Sequence, residues 1–125
     1  MSERDRAPAP LAGIRVLELG TMIAGPVVGT LLGDFGAEVI KIQQPDGGDP
    51  IRNIGPFCEG ESLWWNVEGR NKKSVTLDLR QPEGQAMLRR LVRHADVLVE
   101  NFRPGTMERW NGGWEALRRE NPKLG

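Results

Sequence analysis

Apolar and polar positions alternate from Ile14 to Leu19 and stop at Gly20, the period-two pattern of a strand closed by a tight turn. Past Pro26 the period lengthens, with Val27, Val28, Leu31, Leu32 and Phe35 recurring at helical spacing up to Gly36. Val39 to Ile42 predicts a second strand. Strand, glycine-bearing loop, helix and strand in about thirty residues make a βαβ unit, whose strands run parallel with a right-handed crossover. Further on, Ser74 to Leu79 predicts a third strand and Pro82 opens a helix with Met87, Leu88, Leu91, Val92 and Ala95 on one stripe. A fourth strand follows over Asp96 to Glu100, then short helices over Thr106 to Trp110 and Trp114 to Glu120.

The order βαββαβ predicts an α/β fold, a Rossmann-like, mostly parallel sheet of about four strands with flanking helices. Residues 45–62, rich in Pro, Gly and Asp, read as an excursion over the surface. Residues 1–10 are polar, charged and carry two prolines, so a disordered leader is expected there, with the folded part over 11–125. In such sheets ligands sit beyond the carboxyl ends of the strands. Three segments qualify: Gly20 to Pro26, Gln43 to Asp49, and Asn101 to Gly105.

Composition narrows the classes. A chain of 125 residues is one ordinary domain, and its one cysteine, Cys58, allows neither an internal disulfide nor a cysteine-based metal site. A reducing, cytoplasmic setting fits, and no apolar run suggests a signal peptide or a membrane span. The net charge of zero speaks against a wholly basic nucleic-acid binder. It conceals a split: residues 1–69 carry 5 basic and 10 acidic side chains, residues 70–125 carry 12 and 7. Such a split is either a solvated helix face or a preference of the second half for anions.

The first loop can be tested against known phosphate cradles. Its glycines, Gly20, Gly25 and Gly29, do not make G-x-G-x-x-G, and Pro26-Val27 stands where a P-loop needs Lys and Ser or Thr. ATP hydrolysis is therefore not expected. The second strand ends in Gln43-Gln44, where a dinucleotide site offers an acid to the ribose. What remains is a helix N-terminus, favourable to anions generally, with cations at Arg70, Lys72, Lys73, Arg80, Arg103 and Arg109. His94, the only histidine, reads as a cation at a helix C-terminus rather than a general base.

Five blocks in order carry a resemblance: Pro10 to Glu18, Ala24-Gly25-Pro26, Leu32 to Ile42, Asn71 to Leu79, and Glu100 to Gly105. Together they resemble the N-terminal part of the class III coenzyme A transferases, with α-methylacyl-CoA racemase as a sister branch. Asn101 and Asn71-Lys72-Lys73 look more like the transferase branch. The resemblance implies acyl-CoA and a carboxylic acid acceptor as substrates, no metal, and an interlocked homodimer. It also implies CoA contacts at Ile23 and Ala24, at Leu77, Asp78, Leu79 and Arg80, at Asn101, Phe102 and Arg103, and at Arg109. Gln44 stands where many members carry an arginine that stacks on adenine. Phe102 reads either as an apolar wall beside the thioester or as a core aromatic capping the sheet.

The family's nucleophile is an aspartate that attacks the thioester, and the resemblance places it past Gly125. Asp34, Asp46, Asp49, Asp78 and Asp96 do not match it, so no catalytic residue is expected in this chain. Exposed apolar surface and weak stability are expected of a chain without that part. A racemase-type parent, or a module that binds CoA or an adenine nucleotide without chemistry, stays open on the sequence.

Overall fold

The computed structural model describes residues 7–125. The strand β1 (Arg15–Glu18) is buried because its side chains go alternately to two helical layers. Val16 packs with Val39 and Leu32 beneath the helix α1 (Ala24–Asp34), and Leu17 packs with Leu88 and Val92 of the helix α3 (Pro82–Val92). The main sheet has the order β5 (Lys72–Thr76), β2 (Glu38–Gln43), β1, β6 (Val97–Val99), and every neighbouring pair is parallel. The chain moves outward from β1 to β2 to β5, then returns through α3 to the other side of β1. Strand order thus reverses between β1 and β6, the position at which doubly wound sheets open a ligand crevice.

The third strand differs from expectation. Its ladder runs from Val39 opposite Lys72 to Gln43 opposite Thr76, and after Leu77 N donates to Gln43 O (3.0 Å) the chain turns, with Gln81 N donating to Asp78 O (3.1 Å). The alternation of Leu77 and Leu79 outlasts the ladder because Leu79 still enters the core below α3. Met87, expected on the buried stripe of α3, is 41% exposed.

The excursion after β2 is more ordered than its composition suggests. Asp49 caps a 3-10 turn (Pro50–Asn53), a hairpin pairs β3 (Phe57–Cys58) with β4 (Glu61–Ser62), and Ser62 caps the helix α2 (Leu63–Glu68). Arg52 lies over the Trp65 ring at 3.8 Å and ties α2 to that turn. The helices α4 (Thr106–Arg109) and α5 (Trp114–Glu120) fall where the pattern puts them.

Residues 1–6 of the expected leader lie outside the described residues. Ala7 to Pro10 are exposed, and the Ala9 carbonyl accepts from Ala12 N at 3.0 Å. Among the described residues no helix is long and apolar enough to cross a membrane.

Candidate functional site

A cleft of about 160 Å³ opens at the carboxyl ends of β1, β2 and β5. Its apolar side comes from Leu19, Ile42 and Leu79, residues of the core beneath it. Gln44, Leu77, Asp78, Leu79, Arg80 and Phe102, all named from the sequence, line it together with Gly20, Thr21, Lys41, Asp49 and Trp110. Phe102 meets Trp110 edge to face, with ring centroids 5.2 Å apart. Phe102 also packs against the core cluster, so it is a core aromatic that reaches the cleft lining.

The other named residues are not brought into the cleft lining. Ile23 and Ala24 are exposed at the start of α1. Arg103 lines a second cavity, of about 360 Å³, beside Trp114 and Leu117. Arg109 donates to Thr106 Oγ1 at 3.2 Å within its own helix.

Asn101 lies behind the cleft and clasps the first loop. Its Oδ1 accepts from Thr21 N (2.9 Å) and its Nδ2 donates to Thr21 O (3.0 Å), a two-way bond that joins the loop after β6 to the loop after β1. This contact explains the glycine spacing. A Cβ at Gly20 would stand 2.6 Å from Asn101 Oδ1, and one at Gly25 3.1 Å from it. The first loop is not an open anion cradle, because Thr21 N is taken by Asn101 and Met22 N donates to Asp49 Oδ1 at 3.0 Å.

Beneath that loop lies a charge network that the sequence reading did not identify. Glu18 and Lys41 are register partners in β1 and β2, and Lys41 Nζ is 2.6 Å from Glu18 Oε2 and 2.8 Å from Asp49 Oδ2. Lys72 Nζ is 2.6 Å from Glu18 Oε1 and donates to Pro26 O at 2.8 Å. All four side chains are at most 3% exposed. Two acids and two bases balance, which is what makes burial of the set tolerable. Glu18 Oε1 and Asp49 Oδ2 each have an ammonium group as their close partner, Lys72 at 2.6 Å and Lys41 at 2.8 Å. Burial pulls the Lys72 ammonium below its ordinary pKa, and Glu18 opposes that shift. Gly29 belongs to the same arrangement, since a Cβ there would collide with the Glu18 carboxylate. Charged residues inside three strands were the available signal; only the assembled sheet shows that they meet.

The mouth of the cleft carries exposed charge. Arg80 Nε donates to Asp78 Oδ1 at 2.9 Å and its Nη2 reaches Asp46 Oδ2 at 3.0 Å, so the guanidinium bridges the turns after β2 and β5. Hydrogen bonding to Asp78 first, then to Asp46, raises the Arg80 pKa, and the same bond holds Asp78 below the usual carboxyl value. Gln44 Nε2 donates to Asp46 O and Gly48 O within its own turn, at 3.3 Å each. Of the other expected cations, Arg70 pairs with Asp34 at 2.7 Å and Lys73 with Glu38 at 2.8 Å, both away from the cleft lining. Among the described residues no group of three or more His, Cys, Asp or Glu side chains is arranged to hold a metal ion.

A family model described as CoA-transferase family III matches residues 11–124. The chain is 58% identical over 121 residues to succinyl-CoA–D-citramalate CoA-transferase of Chloroflexus aurantiacus, covering 96% of this chain and 30% of that protein. It is 53% identical over 116 residues to the beta subunit of succinyl-CoA–L-malate CoA-transferase of the same organism, covering 92% and 29%. A crystal structure of a CaiB/BaiF family protein from Brucella suis superposes with a TM-score of 0.86 at 41% identity, covering 94% of this chain and 32% of that one. The chain thus spans about a third of the length of these relatives.

Proposed function

The chain belongs to CoA-transferase family III, and on that premise we propose that it is the N-terminal portion of an enzyme that moves CoA between an acyl-CoA and a carboxylic acid. In this reading the cleft receives part of CoA. The supporting observation is convergence: Gln44, Leu77 to Arg80 and Phe102 come from three separate strand ends and line one crevice along the carboxyl edge of the sheet. A site for a whole drug-sized ligand takes at least about 300 Å³, so a cleft of about 160 Å³ holds one moiety while the rest of CoA lies along the surface. The apolar side of Leu19, Ile42 and Leu79 suits the adenine or the pantetheine arm, and Arg80 at the mouth suits a phosphate.

The aspartyl nucleophile belongs, in this reading, to the larger part of the enzyme outside this chain. The described aspartates are all engaged: Asp34 with Arg70, Asp46 and Asp78 with Arg80, Asp49 with Lys41, and Asp96 with Arg15 N. The names of the two relatives favour succinyl-CoA as donor and a short hydroxy-dicarboxylic acid as acceptor. An interlocked homodimer and a cytoplasmic setting complete the proposal; the single free cysteine agrees with the latter.

Titration calorimetry of the chain with CoA tests the proposal. Saturable binding that weakens about tenfold or more in Arg80→Ala, the loss expected for a charge-assisted hydrogen bond, supports it. No saturable heat at millimolar CoA rejects it. The chain alone should give no transfer from succinyl-CoA to L-malate, and turnover would overturn the assignment of the nucleophile.

A further inference from the structure

The charges at the cleft mouth do not favour an anion as they stand. Among the described residues that line the cleft, Arg80 is the exposed cation, and Asp46 and Asp78 set two negative charges against it. The two acids differ in how they hold it. Asp78 takes the guanidinium through Nε and Nη2 and also accepts from Arg80 N at 3.1 Å, so it belongs to the turn that orients the arginine. Asp46 makes one contact, to Nη2, from across the mouth, and is 73% exposed. It sits in an exposed turn whose next two residues, Gly47 and Gly48, have φ of +83° and +72°, so freeing Arg80 needs only a rotation of the Asp46 side chain. An exposed carboxylate on the Nη2 atom that a ligand oxygen needs has the chemistry of that ligand.

We propose that Asp46 is a resident competitor for the phosphate site of the cleft: a ligand phosphate displaces its carboxylate from Arg80 while Asp78 keeps the guanidinium in place. This rests on the reading that Arg80 receives a phosphate of CoA. Asp46 then sets affinity and selectivity. A ligand with a phosphate can replace the lost ion pair, whereas a ligand without one leaves the pair intact and gains nothing at the mouth. The exposed pair is weak, so displacement is cheap, and its removal has a modest, definite effect.

The test is calorimetry of the parent chain, Asp46→Asn, Arg80→Ala and the double variant with CoA, dephospho-CoA and pantetheine at low and high salt. Asp46→Asn should tighten CoA about two- to fivefold at low salt, less at high salt, with no gain for pantetheine and no gain in the Arg80→Ala background. A gain for CoA alone assigns the site to its 3′-phosphate; a gain for CoA and dephospho-CoA assigns it to the diphosphate. Unchanged or weaker CoA binding in Asp46→Asn, with Arg80→Ala weaker, overturns the competitor while the phosphate reading stands. A gain for pantetheine also overturns it. CoA binding unaffected by Arg80→Ala, or absent from every variant, removes the phosphate reading and this inference with it.

Discussion

Lys41 and Glu18 stand opposite one another in adjacent parallel strands, their charged atoms 2.6 Å apart and their side chains 2% and 0% exposed. With Lys72 and Asp49 they form a buried network of charges under the first loop, and Lys41 and Asp49 also line the cleft. Lys41 Nζ donates to Gly20 O at 3.2 Å and Asp49 accepts from Met22 N, so the network supports the backbone that edges the cleft.

Removing one member leaves the others buried and unbalanced. Lys41→Met should lower stability by about 3–5 kcal/mol, because Asp49 loses its buried cation and Glu18 keeps only Lys72. Urea unfolding should show the midpoint falling or a loss of cooperative folding. A Lys41→Met midpoint equal to that of the parent would show that the network carries no stability.

The Asn101 clasp predicts a local effect. Asn101→Ala removes two hydrogen bonds to Thr21, a cost of about 1–3 kcal/mol, and should speed hydrogen exchange of the Thr21 amide. Asn101→Asp retains the acceptor for that amide and loses the donor to Thr21 O, so exchange should fall between parent and alanine. Unchanged Thr21 protection in Asn101→Ala would refute the clasp.

Two glycines of α1 should respond with opposite signs. Alanine in a helix interior is favoured over glycine by about 1 kcal/mol. At Gly33 the nearest atoms to a new Cβ are Val39 Cγ2 at 3.4 Å and Asn71 Cβ at 3.8 Å, so Gly33→Ala should be neutral to stabilising. At Gly29 the Cβ meets the Glu18 carboxylate, whose carbon would be 2.8 Å away and which two ammonium groups hold in place, so Gly29→Ala should destabilise. Thermal melts of the two variants decide the point.

The strands of the main sheet and their parallel α/β order were legible because alternation, helical period and glycine stops mark each of them; the hairpin β3–β4, inside the stretch read as a surface excursion, was not. The helix α2 was not, since six residues with Trp64 and Trp65 adjacent show no period. The strand predicted at Ser74 to Leu79 lies earlier because Leu79 enters the core from a turn, where alternation and ladder part company. Gln44, Leu77 to Arg80 and Phe102, singled out through the resemblance, come together in the cleft, because each follows a strand end. The clasp and the charge network were not legible, because Gly20, Gly25 and Gly29 make room for Asn101 and Glu18, partners that only the assembled sheet brings near.

Acid should weaken the fold at the surface pairs. Hydrogen bonds hold three carboxyls below their ordinary values of 3.8, 4.5 and 3.8: Arg70 on Asp34, Lys73 and then Arg15 on Glu38, and Arg80 on Asp78. A carboxyl whose pKa is lower in the folded state stabilises fully above its unfolded value and loses that contribution as pH falls through the folded one. Melting temperature should therefore fall below about pH 4, less steeply in Asp34→Asn. Lys72 acts at the alkaline end. Its folded pKa is depressed, so the unfolded chain binds more protons and this group's contribution rises with pH up to its ordinary value of 10.5. An acid limb unchanged in Asp34→Asn would contradict the first part.

Amide shift mapping by NMR during a CoA titration locates the ligand on the chain. The amides of Gly20, Thr21, Gln44, Leu77 to Arg80 and Phe102 should move together along one saturable curve, while those of the hairpin Phe57 to Ser62 stay in place. Shifts confined to Arg103, Trp114 and Leu117 around the second cavity, or no saturable shifts at all, would contradict binding in the cleft.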